Sequence, residues 1–131
     1  MGDSIFTKII NGDIPSYKIA ENENFIAFLD LMPLREGHTL VVPKHEIDYI
    51  YDLPDQLLAD LMIFSKYVSR KIESKIKCKR IGVAVIGLEV PHAHVHLIPI
   101  NTVSDMNFNQ DKLKFTNEEF KSVADLINET D

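Results

Sequence analysis

One cysteine stands among 131 residues, acidic side chains outnumber basic ones, and no apolar stretch approaches the length of a membrane span. Each shortage excludes something. Cys78 has no partner for an intrachain disulfide, so apolar packing has to hold the fold. Lys77 and Lys79 flank it, a setting that can lower a thiol's pKa, although an ordinary half-buried or exposed thiol is the plainer expectation. With 14 Lys and Arg against 20 Asp and Glu, the net charge of -6 lacks the basic face that grips nucleic-acid polymers or anionic membranes. Any phosphate bound here is bound locally. Nothing reaches the roughly 18 apolar residues of a bilayer span, and Met1 to Phe6 has no basic segment ahead of an apolar run. Gly2 suits an acyl acceptor, but Phe6 stands where that signal needs Ser or Thr. A cytoplasmic protein with no membrane partner is expected. Repeats and Pro/Gly/Ser linkers are also missing, and 45% hydrophobic content suffices for one core, so the chain reads as a single domain.

Along the chain, Ser4 to Ile10 predicts a short helix stopped by Asn11-Gly12-Asp13. Three strands are expected next, over Tyr17 to Glu21, Phe25 to Leu31 and His38 to Pro43, the first two joined by a hairpin at Asn22-Glu23-Asn24. From Pro54 to about Ile76, Leu57, Leu61, Phe64, Val68, Ile72 and Ile76 recur at helical spacing, giving one long amphipathic helix to cover the sheet. Two more strands follow, roughly Ile81 to Ile86 and His92 to Ile100. After a polar stretch from Asn101 to Lys114, Thr116-Asn117-Glu118-Glu119 supplies a capping box for a last helix. The sum is an α+β domain with a mostly antiparallel sheet.

Pro91-His92-Ala93-His94-Val95-His96-Leu97-Ile98 carries three of the chain's five histidines. Residues two apart on a strand share a face, so His92, His94 and His96 project together while Ala93, Val95 and Leu97 project to the core. Neighbouring imidazoles would start about 6.6 Å apart and the outer pair about 13 Å, a span comparable to a phosphate with its two substituents. Histidine titrates near neutrality, so one ring can offer a neutral nitrogen as nucleophile while a neighbour handles a proton. Crowding the rings discourages their joint protonation. Attack on phosphorus would divide one hard displacement into two easier ones through a phosphohistidine-type intermediate. A metal site remains open on this pattern: His-x-His supplies two ligands, His92 and His96 are too far apart to share an ion easily, and His38 is available as a third ligand.

These residues resemble the histidine triad (HIT) family, whose motif His-φ-His-φ-His-φ-φ, with φ apolar, is met at every position from His92 to Ile98. The stretch Ile5-Phe6-Thr7-Lys8-Ile9-Ile10-Asn11-Gly12-Asp13-Ile14-Pro15 is similar to the opening of the family's Hint branch. Ala27-Phe28-Leu29-Asp30 and Gly37-His38-Thr39-Leu40-Val41-Val42-Pro43-Lys44 follow in that branch's order. The resemblance implies a five-stranded antiparallel sheet with short terminal helices, and a homodimer whose two sheets join into a ten-stranded one. It divides the chain into a HIT domain over 4–104 and a C-terminal loop and helix, 105–131, packed on the same domain. It also implies hydrolysis or transfer at the α-phosphate of a purine nucleotide. His94 would attack, His96 would contact the phosphate and leaving group, and His92 and His38 would complete the network. Phe28, Leu29, Asp30 and Glu89 would be the nucleotide-binding residues, Phe28 near the base and Asp30 near the ribose hydroxyls. Because His96 is retained where nucleotidyltransferases typically have glutamine, a hydrolase of nucleoside phosphoramidates or adenylates is expected. A dinucleoside polyphosphate hydrolase, as in the Fhit branch, and a nucleotide-binding regulatory protein with weak catalysis are the alternatives.

The chain departs from that pattern at two places. Several Hint-branch members bind structural zinc through an N-terminal Cys-x-x-Cys and a later histidine, whereas this sequence has Ser4, Thr7 and, after His45, Glu46. Hydroxyls are poor zinc ligands beside thiolates, so no metal and no cofactor are expected. Where relatives often read Gly-Gln-Ser or Gly-Gln-Thr, this sequence has Gly87-Leu88-Glu89, and Pro91 lacks an N–H to offer a phosphate. A carboxylate beside a phosphate repels it unless protonated, paired or turned outward, which puts the leaving group in question.

Overall fold

A computed structural model of the chain describes residues 3–130; Gly2, considered above as an acyl acceptor, and Asp131, the end of the expected C-terminal unit, lie outside the described residues. Helix α1 (Ile5–Ile10) begins at Ser4, whose Oγ accepts from the Thr7 N–H, and stops where Gly12 takes φ +82°. Strands β1 (Lys18–Glu21) and β2 (Phe25–Leu29) form the expected hairpin, its turn held by the Asn22 side chain accepting from the N–H groups of Asn24 and Phe25. Then come β3 (Thr39–Pro43), the long helix α2 (Asp55–Glu73), β4 (Arg80–Ala84), β5 (Val95–Ile100) and α3 (Asn117–Asn128). Thr116 and Glu119 make the reciprocal capping bonds anticipated for α3. Short 3-10 turns at Ile50–Asp52 and Val103–Met106 were not anticipated.

The five strands lie in the order β1-β2-β3-β5-β4, each pair antiparallel. One face packs on α2 and α3 through residues such as Phe25, Val41, Leu61, Val68, Leu97 and Ile127. On the other, Phe6 of α1 closes over Ile26, Phe28, Leu40 and Val42. Covered on both faces, β2 and β3 are buried at every position, which is why their sequences run apolar without alternation. Among the described residues no helix is long and apolar enough to cross a membrane.

The structure departs from the expected boundaries where backbone bonding changes. Strand β2 ends at Leu29, because the Asp30 N–H bonds to the His38 carbonyl in a bend, and Leu31 and Met32 are exposed. Strand β5 begins at Val95 rather than His92: the Ala93 N–H bonds to the Ile47 carbonyl, and β3 pairs only with Val95, His96 and Leu97. Cys78 is the half-buried thiol that was the plainer expectation, and burial pushes its pKa up where the flanking lysines alone could have lowered it.

Candidate active site

The three motif histidines gather on the α1 side of the sheet, but only His96 sits within a regular strand. His92 and His94 belong to the peeled-away approach to β5, and the bend draws the rings closer than an extended strand would. The His94 and His96 ring centroids are 5.1 Å apart, and Phe6 lies edge-on to both His94 at 4.9 Å and His92 at 5.8 Å. His38, immediately before β3, completes the group with its ring centroid 5.2 Å from that of His96. Gly37 makes this placement possible: it holds φ +89°, and an added Cβ would lie 3.2 Å from Pro99 Cγ. All four imidazoles are at most 9% exposed.

Their hydrogen-bond partners fix the tautomers, because a carbonyl oxygen only accepts and a backbone N–H only donates. His94 Nδ1 lies 2.7 Å from the carbonyl oxygen of His92, so Nδ1 carries the proton and Nε2 of the neutral ring is left with a free lone pair. His38 Nδ1 accepts from the Leu34 N–H at 3.0 Å, so its proton is on Nε2. That proton is donated to His96 Nδ1 at 3.0 Å, with an Asp30 oxygen 3.4 Å away. His96 in turn carries its proton on Nε2. The group therefore holds an unprotonated ring nitrogen on His94 beside a hydrogen-bond donor on His96.

Burial keeps the rings neutral. It is the largest cause of a lowered pKa at each: His38 falls to about 3, with the charges of His96 and Lys112 adding to the effect, and His96 to about 4, with His94 adding. His92 and His94 are lowered too, partly offset by hydrogen bonds to the Pro43 and His92 carbonyls. Near neutral pH every ring is an uncharged imidazole.

The remaining expected site residues are placed unequally. Asp30 borders His38, accepts from the Met32 N–H, and is raised by burial. Phe28 is buried on the histidine side against Phe6, with ring centroids 5.6 Å apart. Leu29 points the other way, into the helix-side core. Glu89 and Leu88 are exposed on the loop before the motif, with the Glu89 charge felt at both Asp30 and His94. Asp30, His38 and His96 each offer a ligand atom within 4.8 Å of the others, so among the described residues the group that could hold a metal pairs His38 with a single motif histidine and Asp30, in place of the His-x-His pair with His38 that the sequence left open. In it the facing nitrogens of His38 and His96 are already joined by a hydrogen bond.

Two further groups reach the site without any signal in the motif. Phe108, beyond β5, sets its ring edge-on to His96 at 5.0 Å and to His38 at 6.5 Å. Lys112 folds back on the carbonyls of Phe108 and Gln110 and brings a positive charge near Asp30 and His38. On the opposite side, Ser4, Thr7 and Glu46 surround His92. Ser4 Oγ lies 2.8 Å and Thr7 Oγ1 3.4 Å from His92 Nδ1, and one Glu46 oxygen accepts from the Ser4 N–H at 2.7 Å and the Thr7 hydroxyl at 2.6 Å. This is where the resemblance implied a structural zinc in related chains. Two hydroxyls, one carboxylate and one imidazole that satisfy one another do not fit that ion.

A family model described as the HIT domain matches residues 11–103. The adenosine 5'-monophosphoramidase of Saccharomyces cerevisiae is 39% identical over 97 residues, covering 72% of this chain and 61% of that enzyme. A solved HIT-like protein from Bartonella henselae, described as involved in cell-cycle regulation, superposes with a TM-score of 0.83 at 26% identity over 96% of this chain and 94% of its own. A zinc-bound histidine triad protein from Mycobacterium smegmatis superposes with a TM-score of 0.78 at 25% identity, covering 95% of this chain and 89% of that one.

Proposed function

The chain belongs to the HIT family, and on that footing we propose that it is a nucleotide hydrolase cleaving at the α-phosphate of nucleoside phosphoramidates or related adenylate compounds through a nucleotidyl-histidine intermediate on His94. The observation that carries this reading is the tautomer pattern: a free Nε2 lone pair on His94 beside the Nε2–H of His96. Nε2 of His94 attacks phosphorus, the bond to the leaving group breaks, and the positive charge left on the ring is stabilised by its Nδ1–H bond to the His92 carbonyl. His96 donates a hydrogen bond to the phosphoryl oxygens or the leaving group. A neutral imidazole is a weak acid, so the site suits a leaving group that departs without taking an enzyme proton. A phosphoramidate nitrogen already bearing three hydrogens leaves as ammonia. Water then attacks phosphorus, the electron pair returns to His94 Nε2, and a nucleoside monophosphate and one proton are released.

Asp30 at the ribose and Phe28 toward a purine base fit this reading, with Leu29 supporting them from the core and Glu89 turned to solvent near the leaving-group side. Residues 4–104 would form the HIT domain, and 105–131 a segment packed on it. A cytoplasmic homodimer is part of the proposal. The departing phosphate of a dinucleoside polyphosphate also needs no enzyme proton, which keeps that substrate class as the second reading. The exposed Leu88 and Glu89, in place of polar donors, favour weak turnover in either case.

The test is mass spectrometry of protein quenched during turnover of adenosine phosphoramidate, with diadenosine polyphosphates run in parallel. An adenylyl adduct on His94, absent from His94→Ala, is expected. An adduct on another residue, or one surviving the substitution, would sink the assignment.

A further inference from the structure

The cluster around His92 is outside the attack described above, yet it is buried and directional. The His92 Nε2 atom lies 2.8 Å from the carbonyl oxygen of Pro43, which only accepts, so Nε2 carries the proton and Nδ1 of the neutral ring is an acceptor. The hydroxyl proton of Thr7 is committed to the Glu46 carboxylate at 2.6 Å. Ser4 is then the group that donates to His92 Nδ1, at 2.8 Å, while its oxygen also accepts from the Thr7 N–H at 3.0 Å. Glu46 holds Ser4 in place from behind, through the Ser4 N–H. His92 is 0% and Ser4 7% exposed. The carbonyl that orients the His94 ring belongs to this same His92. Its side chain is therefore pinned at both nitrogens, and its main chain presents the acceptor that keeps the His94 proton on Nδ1.

We propose that Ser4 and Glu46 are positioning residues for His94, a metal-free hydrogen-bond clamp that fixes His92 in the place where a zinc ion does not fit. The proposal rests on the reading of His94 as nucleophile, but the clamp itself can be observed without turnover. Segments 42 and 88 residues apart in sequence meet in it, so the entry to α1 and the loop after β3 are tied to His92, whose carbonyl orients the His94 ring.

The informative variant is Ser4→Gly, because glycine at an N-cap costs the helix little while the donor to His92 is removed. With adenosine phosphoramidate as substrate, Ser4→Gly lowers kcat about tenfold with KM within about twofold, the size expected for one buried hydrogen bond. Ser4→Thr, which keeps the hydroxyl, restores most of the rate. Glu46→Ala acts in the same direction and more weakly. Nitrogen-15 spectra of the imidazoles, recorded without substrate, show single tautomers for His92 and His94 in the parent and tautomer mixing in Ser4→Gly. If the parent turns over no nucleotide yet its ring spectra respond in this way, the functional reading fails and the clamp stands. Unchanged ring spectra and unchanged kcat in Ser4→Gly overturn the proposal, as does one equivalent of zinc retained by the parent and lost by that variant in native mass spectrometry.

Discussion

His38 does not enter the proposed bond-making step, yet it determines what His96 can offer. Its Nδ1 is taken by the Leu34 N–H, so its Nε2–H has to point at His96 and leave His96 with its own proton on the side facing the site. Truncation in His38→Ala leaves a buried His96 nitrogen and the Leu34 N–H without partners and releases the His96 tautomer. We expect kcat to fall about 10- to 100-fold, with a smaller change in KM, since the lost interaction belongs to the developing charge more than to ground-state binding. Steady-state kinetics on the phosphoramidate checks this, and an unchanged kcat would remove His38 from the network. Spacing alone put His92, His94 and His96 on one face, whereas His38 joined them only through the resemblance, since a histidine after a turn glycine carries little signal by itself. The tautomers were not legible, because they depend on Leu34 N–H, the His92 carbonyl and the Pro43 carbonyl, main-chain groups that carry no side-chain signature. Ser4 came forward only as a residue standing in place of a zinc thiolate; its hydrogen bond to His92, across 88 residues, had no signature.

At the scale of elements, periodicity read the strands and helices well, and the misreadings fall where a strand gives up its ladder. The approach to β5 leaves β3 because the Ala93 N–H bonds to Ile47 instead. The stretch after β5 read as polar loop, since its one aromatic, Phe108, lies in no periodic pattern. Its path over the site is set by the Arg35–Asp105 ion pair at 3.2 Å and the Leu113 N–H bond to the Pro33 carbonyl. Laid there, Phe108 covers His96 and His38 and keeps water from them. Desolvation is the chief reason His96 titrates at about 4, so Phe108→Ala admits water and raises that value toward the ordinary 6.5. Loss of activity on the acid side then sets in at higher pH than in the parent, which a pH profile of kcat/KM reports. A profile that stays in place would mean that the sheet and Phe6, and not this segment, keep the site dry.

Across the whole molecule the two sheet edges are unlike. On β1 the outer edge carries Lys18 and Glu21, a register irregularity, and side-chain bonds to its carbonyls from Lys71 and Asn128. On β4 the outer edge has no strand partner among the described residues, Val83 is 51% exposed, and a groove runs beside it toward α2, lined by Ile81, Val83 and Leu97 of the sheet and by Met62 with polar and charged α2 residues, Lys66, Arg70 and Glu73 among them. An unpaired edge strand with an exposed valine supports the proposed pairing of two sheets, so Val83→Lys should shift sedimentation from dimer to monomer; a parent that sediments as a monomer would end that proposal. Stability should follow the buried imidazoles. In the unfolded chain His38 and His96 take up protons near pH 6.5, whereas the folded protein refuses them until about 3 and 4. Above pH 6.5 the rings are neutral in both states and their contribution is fully present. As pH falls below 6.5 the unfolded state binds more protons, so stability drops by up to about 1.4 kcal/mol per pH unit for each ring, until the folded pKa is passed. Asp30, raised by burial, works in the opposite sense, gaining stability as pH falls, and so softens the slope. Urea unfolding at pH 7.5, 6.0 and 5.0 should therefore give falling midpoints with an unchanged m-value. His38→Asn, one ring fewer, should flatten the fall, and a flat profile in the parent would contradict four buried neutral histidines.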